Sequence, residues 1–588
     1  MEPTLTRFIW RFSKRDQIAV LALTLASFPL LYLTLELPKI IINDALSGEP
    51  HPHDILWGRF SVDAVDYLML LCGAFFCLVL ASGFMKMRIN TYKGVLGERM
   101  LRRLRFQMLD RVLRFPMPQF QRTSQGEVIS MVASETEPLA GYVGDALALP
   151  AFQGGTMLTI LIFMFVQDPI LGLAAAALIP VQAAIIPRLQ RQVNLLGKKR
   201  VLKVRQLSET IGESISGIRD IRVNGTARYS LAGFSQQLGE IFGIRMEIYQ
   251  KKFFMKGLNN FLGQMTPLLF YAIGGYLVIQ GDLSIGALVA AVAAYKDLAA
   301  PWKELLNYYQ RMADSNIKYD QLYEQFVPDG LLDKQLQYCP GTEPKPLDAD
   351  IRISNLSLNR ADGTSVFSNM SLSIPAGSTI AITGNDTTAQ EQFVELLTRI
   401  TQPSSGRITV GDQDIASIPE TILGPNFGYV GPDSYIFNNT VYDNVFLGMK
   451  TSPAEAATTL PSLLPQNSEE GHKLWIRETE AAGNSTDPFL TNWVNYQAIG
   501  AFGEADALNW WLQVIGAVGA TETLFRFGLD LVIDPNEHES FAAQILGARQ
   551  HVRQQLASRK LSHLVRHFEF DEYNTYASVA ENILFGNP

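Results

Sequence analysis

An α-helical membrane domain followed by a smaller α/β domain is the fold class this sequence predicts. Three observations predict it. Apolar runs of bilayer length crowd the first half of the chain, basic residues alternate with those runs in a constant sense, and beyond a proline-rich break the pattern turns to short alternating strands. With 588 residues the chain is too long for one core. Hydrophobic residues make up 47% and charged residues only 18%, a low charged share for a chain wholly in water. The formal net charge of −8 conceals a strong asymmetry along the chain.

A helix crosses a bilayer with ~20 largely apolar residues. Six segments approach that requirement: Ile18–Ile42, Tyr67–Met85, Leu147–Val166, Ile170–Pro187, Leu258–Ile279 and Ile285–Ala300. The first is too long for a cleavable leader and lacks a small-residue cleavage site, so it reads as a retained span. The turn Gln167–Pro169 makes a tight hairpin of the third and fourth, and Gln280–Ser284 does the same for the fifth and sixth. The last is the least apolar, broken near Lys296 and Pro301.

Orientation follows from Lys and Arg. Arg7, Arg11, Lys14 and Arg15 precede the first span; ten basic residues from Lys86 to Arg122 separate the second from the third; Arg188 to Arg205 and beyond separate the fourth from the fifth. The Asn43–Asp66 loop carries one Arg, and the two short turns carry neither Lys nor Arg. All basic loops therefore fall on one side. The expectation is a multi-pass protein of the plasma (inner) membrane, in contact with lipid, with both termini cytoplasmic. Glu36 is expected near the outer end of the first span, paired with Lys39 one helical turn away.

Each cytoplasmic connection is about 60 to 70 residues of mostly helical pattern, where helices are usually joined by 2–8. Membrane helices must continue past the bilayer and turn there. This arrangement, with short outer loops, resembles the transmembrane domain of ABC exporters. Three patches carry the resemblance in order: Arg122-Thr-Ser-Gln-Gly126-Glu127-Val-Ile-Ser-Met-Val, similar to the first coupling region; Glu209 through Gly217-Ile218-Arg219-Asp220-Ile221, similar to the second long loop; and Gly281-Asp-Leu-Ser-Ile-Gly286-Ala-Leu-Val, similar to the last span. The resemblance marks Gly126, Glu127, Gly217 and Arg219 as coupling-region candidates and implies six transmembrane helices over residues 1–326.

Residues 327–350, polar and carrying Pro328, Pro340, Pro344 and Pro346, read as a linker. Strands are expected at Ile351–Leu358, Val366–Ile374 and Thr379–Thr383, then a helix over Glu391–Ile400, then Pro403-Ser-Ser-Gly406-Arg-Ile-Thr-Val and a further strand ending at Tyr429-Val430. This order resembles the opening of an ABC nucleotide-binding domain, a partial P-loop-type α/β fold over residues 351–448. By that resemblance ATP and Mg²⁺ are the implied cofactors.

The residues in the phosphate-loop window work against them. A loop of the form G-x-x-x-x-G-K-[ST] cradles phosphate with backbone N–H groups, neutralises it with Lys and holds Mg²⁺ with a hydroxyl. Here the window reads Gly384-Asn385-Asp386-Thr387-Thr388-Ala389-Gln390-Glu391-Gln392. Ala389 replaces the second Gly, Gln390 the Lys and Glu391 the hydroxyl. One charge-assisted hydrogen bond is worth ~1.5–3 kcal/mol, so losing the Lys alone weakens binding about tenfold or more. Arg360 stands where the family places an adenine-stacking aromatic, and Tyr429-Val430-Gly431-Pro432 lacks the Gln of the family's Gln loop. Scaffold without chemistry is the pattern of a pseudo-ATPase.

After Gly448 the pattern departs from such a domain. Residues 449–588 read as an insertion with a helical run near Glu539–Lys560, ending in Val579-Ala-Glu581-Asn582-Ile583-Leu-Phe-Gly586, which repeats the residue classes of Val441-Tyr-Asp443-Asn444-Val445-Phe-Leu-Gly448 at most positions. The signature Leu-Ser-Gly-Gly-Gln, the catalytic Asp-Glu and the switch His do not occur, and Asp530–Asp534 reads as an ordinary element end. The expectation is a domain incomplete at its C-terminus and a piece of a longer protein. Cys72, Cys77 and Cys339, with His51, His53 and His538, show neither disulfide nor metal spacing. No nucleophile triad stands out, and the basic residues follow membrane topology rather than a nucleic-acid pattern. Three functions remain: an exporter subunit for an unknown substrate, in a homodimer or heterodimer with a second half-transporter and powered through a partner chain or further residues; a non-catalytic scaffold or regulatory subunit; or an ATPase with unorthodox phosphate contacts.

Overall fold

The computed structural model describes residues 1–41, 53–55, 60–62, 64–167, 169–177, 179–280, 285–337, 346–360, 363–432, 434–453, 469–565, 571–575 and 577–584. Asp168, the Gly281–Ser284 turn, most of the Asn43–Asp66 loop with His51, and the part of the linker from Tyr338 to Lys345 with Cys339 lie outside them. The chain divides into two compact units, residues 1–448 with 455–492, and residues 449–454 with 493–588.

In the first unit, helix α1 (Leu5–Ile40, 36 residues) starts where the Thr4 side chain accepts from the Arg7 N–H at 3.4 Å. Helix α2 (Ala64–Val112) has 49 residues, on the order of 70 Å at 1.5 Å per residue, more than twice the hydrocarbon thickness. Its apolar first half leaves Met69, Phe76, Leu80 and Phe84 exposed, and only 6% of its most apolar window is covered by protein, as expected of a helix whose solvent is lipid. Helices Ile179–Ser216, Ala227–Leu269 and Ile285–Phe326 are similarly long, at 38, 43 and 42 residues.

Among the described residues four helices are long and apolar enough to cross a membrane: Leu5–Pro38, Val65–Val112, Ala148–Val166 and Ala227–Gln280. They hold all or most of four of the six expected spans. The expected span Ile170–Pro187 is divided between helices Pro169–Ala176 and Ile179–Ser216, and the apolar part of the latter soon gives way to Arg188 and Arg191. The expected span Ile285–Ala300 opens the Ile285–Phe326 helix. Glu36 sits in the last turns of α1, and the Lys39 side chain is outside the described set.

The main core of this unit lies at the end of the helices remote from the Asn43–Asp66 loop. Leu5, Phe8 and Ile9 of α1, Leu96, Met100, Leu104 and Met108 of α2, Leu139 and Val143, and Tyr319, Leu322 and Phe326 pack together. Polar bonds fix the register: Tyr319 donates to the Glu2 carbonyl at 2.8 Å, Tyr308 to the Ala146 carbonyl at 2.6 Å, and Asp145 pairs with Lys93 at 2.7 Å and Arg311 at 3.1 Å. Helix Glu137–Asp145 meets α2 backbone to backbone. A Cβ on Gly97 would come within 2.5 Å of the Ala140 carbonyl oxygen, and one on Gly144 within 2.4 Å of that of Lys93.

Strands β1 (His53–Ile55) and β2 (Phe60–Val62) form a small antiparallel hairpin in the Asn43–Asp66 loop. Beyond the linker, β3 (Ile351–Asn359), β4 (Ser365–Ile374), β5 (Ser405–Val410) and β6 (Gln413–Asp414) make a sheet of order β4-β3-β5-β6, antiparallel throughout. Ile353, Leu356 and Leu358 point into a core shared with Ile408, Val410 and with Phe393 and Leu396 of helix Thr387–Leu397. At the β3 bulge Gly406 takes φ 88°, where a Cβ would lie 2.3 Å from the Asn355 carbonyl oxygen.

Two expected strands are absent. Thr379–Thr383 and the stretch ending at Tyr429-Val430 form no ladder; Ile380 and Ile382 are 48% and 40% exposed and Val430 is 93% exposed. An antiparallel strand is completed by a hairpin neighbour, whereas a buried parallel strand needs partners from distant crossovers. No such partner occurs among the described residues.

In the second unit Lys450 bridges Val494, followed by helices Glu504–Val518, Thr521–Leu529 and Glu539–Ser558. The expected helical run is therefore present, and Asp530 caps the end of a helix.

Candidate functional site

The phosphate-loop window forms an exposed turn leading into helix Thr387–Leu397. Asp386 is its N-cap: the carboxylate Oδ1 accepts the Ala389 N–H at 3.2 Å, taking up one of the orphan donors at the helix start. The other oxygen, Oδ2, accepts from the Arg360 guanidinium at 3.0 Å. The Ala389 N–H first, and the Arg360 cation with it, hold the Asp386 carboxyl below the usual carboxylate range. Gln390 donates through Nε2 to the Gly384 carbonyl at 3.1 Å, so its amide turns back on its own loop. The structure thus joins Arg360, Gly384, Asp386, Ala389 and Gln390 in one closed cluster. Asn385, Thr387, Thr388 and Glu391 lie exposed around it, and Gln392 faces a neighbouring cavity.

This cluster does not fit a magnesium triphosphate. A phosphate at the helix N-terminus would meet the Asp386 carboxylate already seated there, and Glu391 adds a second negative group where the hydroxyl of a working loop would hold the metal. Among the described residues no group of three or more His, Cys, Asp or Glu side chains could hold a metal ion.

The neighbouring cavity, about 1200 Å³, is lined by Pro116, Gln119 and Arg122 from beyond α2 and by Arg360, Glu395 and Arg399. The Arg399 side chain, 6% exposed, donates to the carbonyls of Ile415 and Ile418; its Nη2 lies 3.8 Å from Glu420. Burial raises the Glu420 carboxyl above its usual range despite that cation.

The coupling-region candidates occupy two separate turns. Gly126 and Glu127 lie in the first turn of helix Gln125–Ser130, whose N-cap Ser124 accepts the Glu127 N–H at 3.2 Å. Both are part of the short helix itself. The Glu127 carboxylate lies 3.7 Å from Arg205, which also reaches Glu135 at 3.5 Å. Gly217 ends the long Ile179–Ser216 helix, donating to the Glu213 carbonyl at 2.8 Å, and N-caps the short helix Ile218–Val223, on which Arg219 is exposed.

The two similar segments adopt one local design. The Asn444 side chain accepts the Phe437 N–H at 2.8 Å and donates to the Phe437 and Thr440 carbonyls, while Thr440 caps the helical turn. Asn582 accepts the Asn574 N–H at 2.8 Å and donates to the Asn574 and Ser578 carbonyls, while Ser578 caps the second turn.

The sequence pattern missed Asp386 as a cap, although Asp directly before a helical run is itself an N-cap signal. It also gave no sign that Arg360 would reach Asp386, because nothing local joins residues 26 apart.

Comparison with known proteins decides the membrane half. Residues 37–295 match the profile of the ABC transporter transmembrane region. The chain carries an ABC transporter transmembrane region. With the apolar helices, this makes it an integral membrane protein. It is similar to an uncharacterized ABC transporter ATP-binding protein of Bacillus subtilis, 21% identical over 69% of this chain and 66% of that protein. It is also similar to an ATP-dependent lipid A-core flippase of Ralstonia nicotianae, 22% identical over 63% of this chain and 62% of that protein, and to a fatty acid ABC transporter ATP-binding/permease protein of Mycobacterium tuberculosis, 23% identical over 59% and 54%. The match spans less than two thirds of the length of each of these relatives.

Proposed function

We propose that this chain is a subunit of an ABC exporter, with six spans, both termini in the cytoplasm and the inner membrane as its site. Relatives whose names denote lipid or fatty acid transport support an exporter. In this reading residues 1–326 form the transmembrane domain, 327–350 the linker, 351–448 the opening of a degenerate nucleotide-binding domain and 449–588 an insertion. The helices work as a dimer with a second half-transporter, identical or different. Gly126, Glu127, Gly217 and Arg219 belong to the turns through which the stalks receive motion.

The observation that carries the energetic part is the Asp386 carboxylate, seated on the helix N-terminus and paired with Arg360. With that place taken by the protein's own anion, MgATP does not bind tightly here. Energy comes from ATP bound by a partner chain or by residues beyond this sequence. The test has two arms. Titration of the purified chain with MgATP should show no saturable binding at millimolar nucleotide, and micromolar affinity refutes the degenerate site. Vesicles holding the chain with a candidate partner should move substrate only when both are present. Failure to move substrate under any pairing favours the scaffold reading.

A further inference from the structure

One helix from the region after Gly448 lies against the transmembrane stalks. Helix Glu469–Ala482 belongs to the same compact unit as α1 and α2 and docks on the polar half of α2. Three arginines at positions 99, 102 and 103, one helical face by their spacing, receive it. Arg99 makes a two-pronged contact with Glu478, Nε to Oε2 at 3.0 Å and Nη2 to Oε1 at 3.1 Å. Its third nitrogen, Nη1, donates to Asp16 of α1 at 3.3 Å, and Asp16 accepts from Tyr92 at 2.7 Å. Arg102 donates to Thr479 at 3.4 Å. Arg103 donates to the Ala481 carbonyl at 2.9 Å, placing a cation on the negative end of the docked helix, and its guanidinium lies 4.4 Å from the Phe12 ring of α1.

The contact is shaped as well as charged. Thr479 is 2% and Ala482 0% exposed. The helix ends in a Schellman turn: Gly483 takes φ 66° and donates to Glu480, and Asn484 donates to Thr479. A Cβ on Gly483 would come within 2.5 Å of the Arg103 guanidinium. Asp16, Arg99 and Glu478 therefore run as one chain of charge across α1, α2 and the added helix. Their side chains keep 26%, 19% and 27% of their exposure, so water can reach the contact.

We propose that helix Glu469–Ala482 is a releasable strap that holds the stalks of α1 and α2 in one arrangement, with the Arg99–Glu478 pair as its key. The restraint acts directly on the stalks and does not pass through the phosphate loop.

The test uses the full chain with Cys72, Cys77 and Cys339 replaced by Ser and spin labels on exposed Arg15→Cys of α1 and Glu98→Cys of α2. Glu478→Ala removes the key; Gly483→Ala leaves every charge in place and strains the left-handed turn, φ 66°, that ends the helix beside Arg103. Hydrogen exchange of residues 470–482 should rise tenfold or more in both variants, with exchange of the β3–β6 sheet unchanged, showing that the fold persists. The label-to-label distance distribution should be narrow in the parent and broad in both variants. Release of the helix with an unchanged distribution overturns the strap. Exchange of 470–482 unchanged in both variants overturns the key.

Discussion

The stalk core and the region without strand ladders around Ile380, Val430, Tyr435 and Ile436 are built from similar apolar residues and end in opposite states. In the stalk core Phe8, Met108, Tyr319, Leu322 and Phe326 are 1% exposed or less. In the other region Ile380, Val430, Tyr435 and Ile436 are 48%, 93%, 78% and 79% exposed. The difference lies in what each segment needs for burial. A long amphipathic helix satisfies its own backbone and needs only a neighbouring helix on one face. A central strand needs ladders on both edges before its side chains can be covered. Apolar composition is therefore a demand for a partner, and topology decides whether the demand is met.

The largest effect should come from the stalk side of this comparison. Phe326→Ala should cost ~3–5 kcal/mol in denaturant unfolding, and Val430→Ala should stay within about 0.5 kcal/mol. Equal costs would show that the exposed segment packs in solution. Next, Asp145→Ala removes the acid shared by Lys93 and Arg311 and should cost ~2 kcal/mol, less than a fully buried pair because its partners keep some water. Asn444→Ala and Asn582→Ala should each lose about 1–2 kcal/mol of local protection, read as faster exchange at the Phe437 and Asn574 amides respectively. Unequal losses would break the equivalence of the two segments.

The smallest effect is pH-dependent and concerns the closed loop. The folded Asp386 carboxyl titrates below its unfolded value, so its capping contribution is fully present above the ordinary carboxylate range and is lost as pH falls through the depressed value. Exchange at the start of helix Thr387–Leu397, relative to Asp386→Asn, should therefore converge with the variant on acidification and differ most near neutrality. A difference that persists in acid would show that Asp386 is not the cap.

The long helices, their apolar stretches and the β3 and β4 strands were legible because each is written in neighbouring residues: runs of ~20 apolar positions and alternation with period two. The strands expected at Thr379–Thr383 and Tyr429-Val430 were misread because alternation reports a face that wants cover, not a ladder that exists. The phosphate-loop substitutions were visible residue by residue, yet their closure into an Asp386–Arg360 pair was not.

By itself the sequence determined where helices form, which stretches prefer lipid, and that the loop at Gly384–Gln392 lost the lysine a phosphate needs. Only the tertiary structure decided that Asp386 fills the vacated helix end, and that Glu478 meets Arg99 across 379 residues of chain. Local pattern encodes which surfaces must be covered; a pairing across hundreds of residues depends on how the intervening elements pack, and no spacing records that.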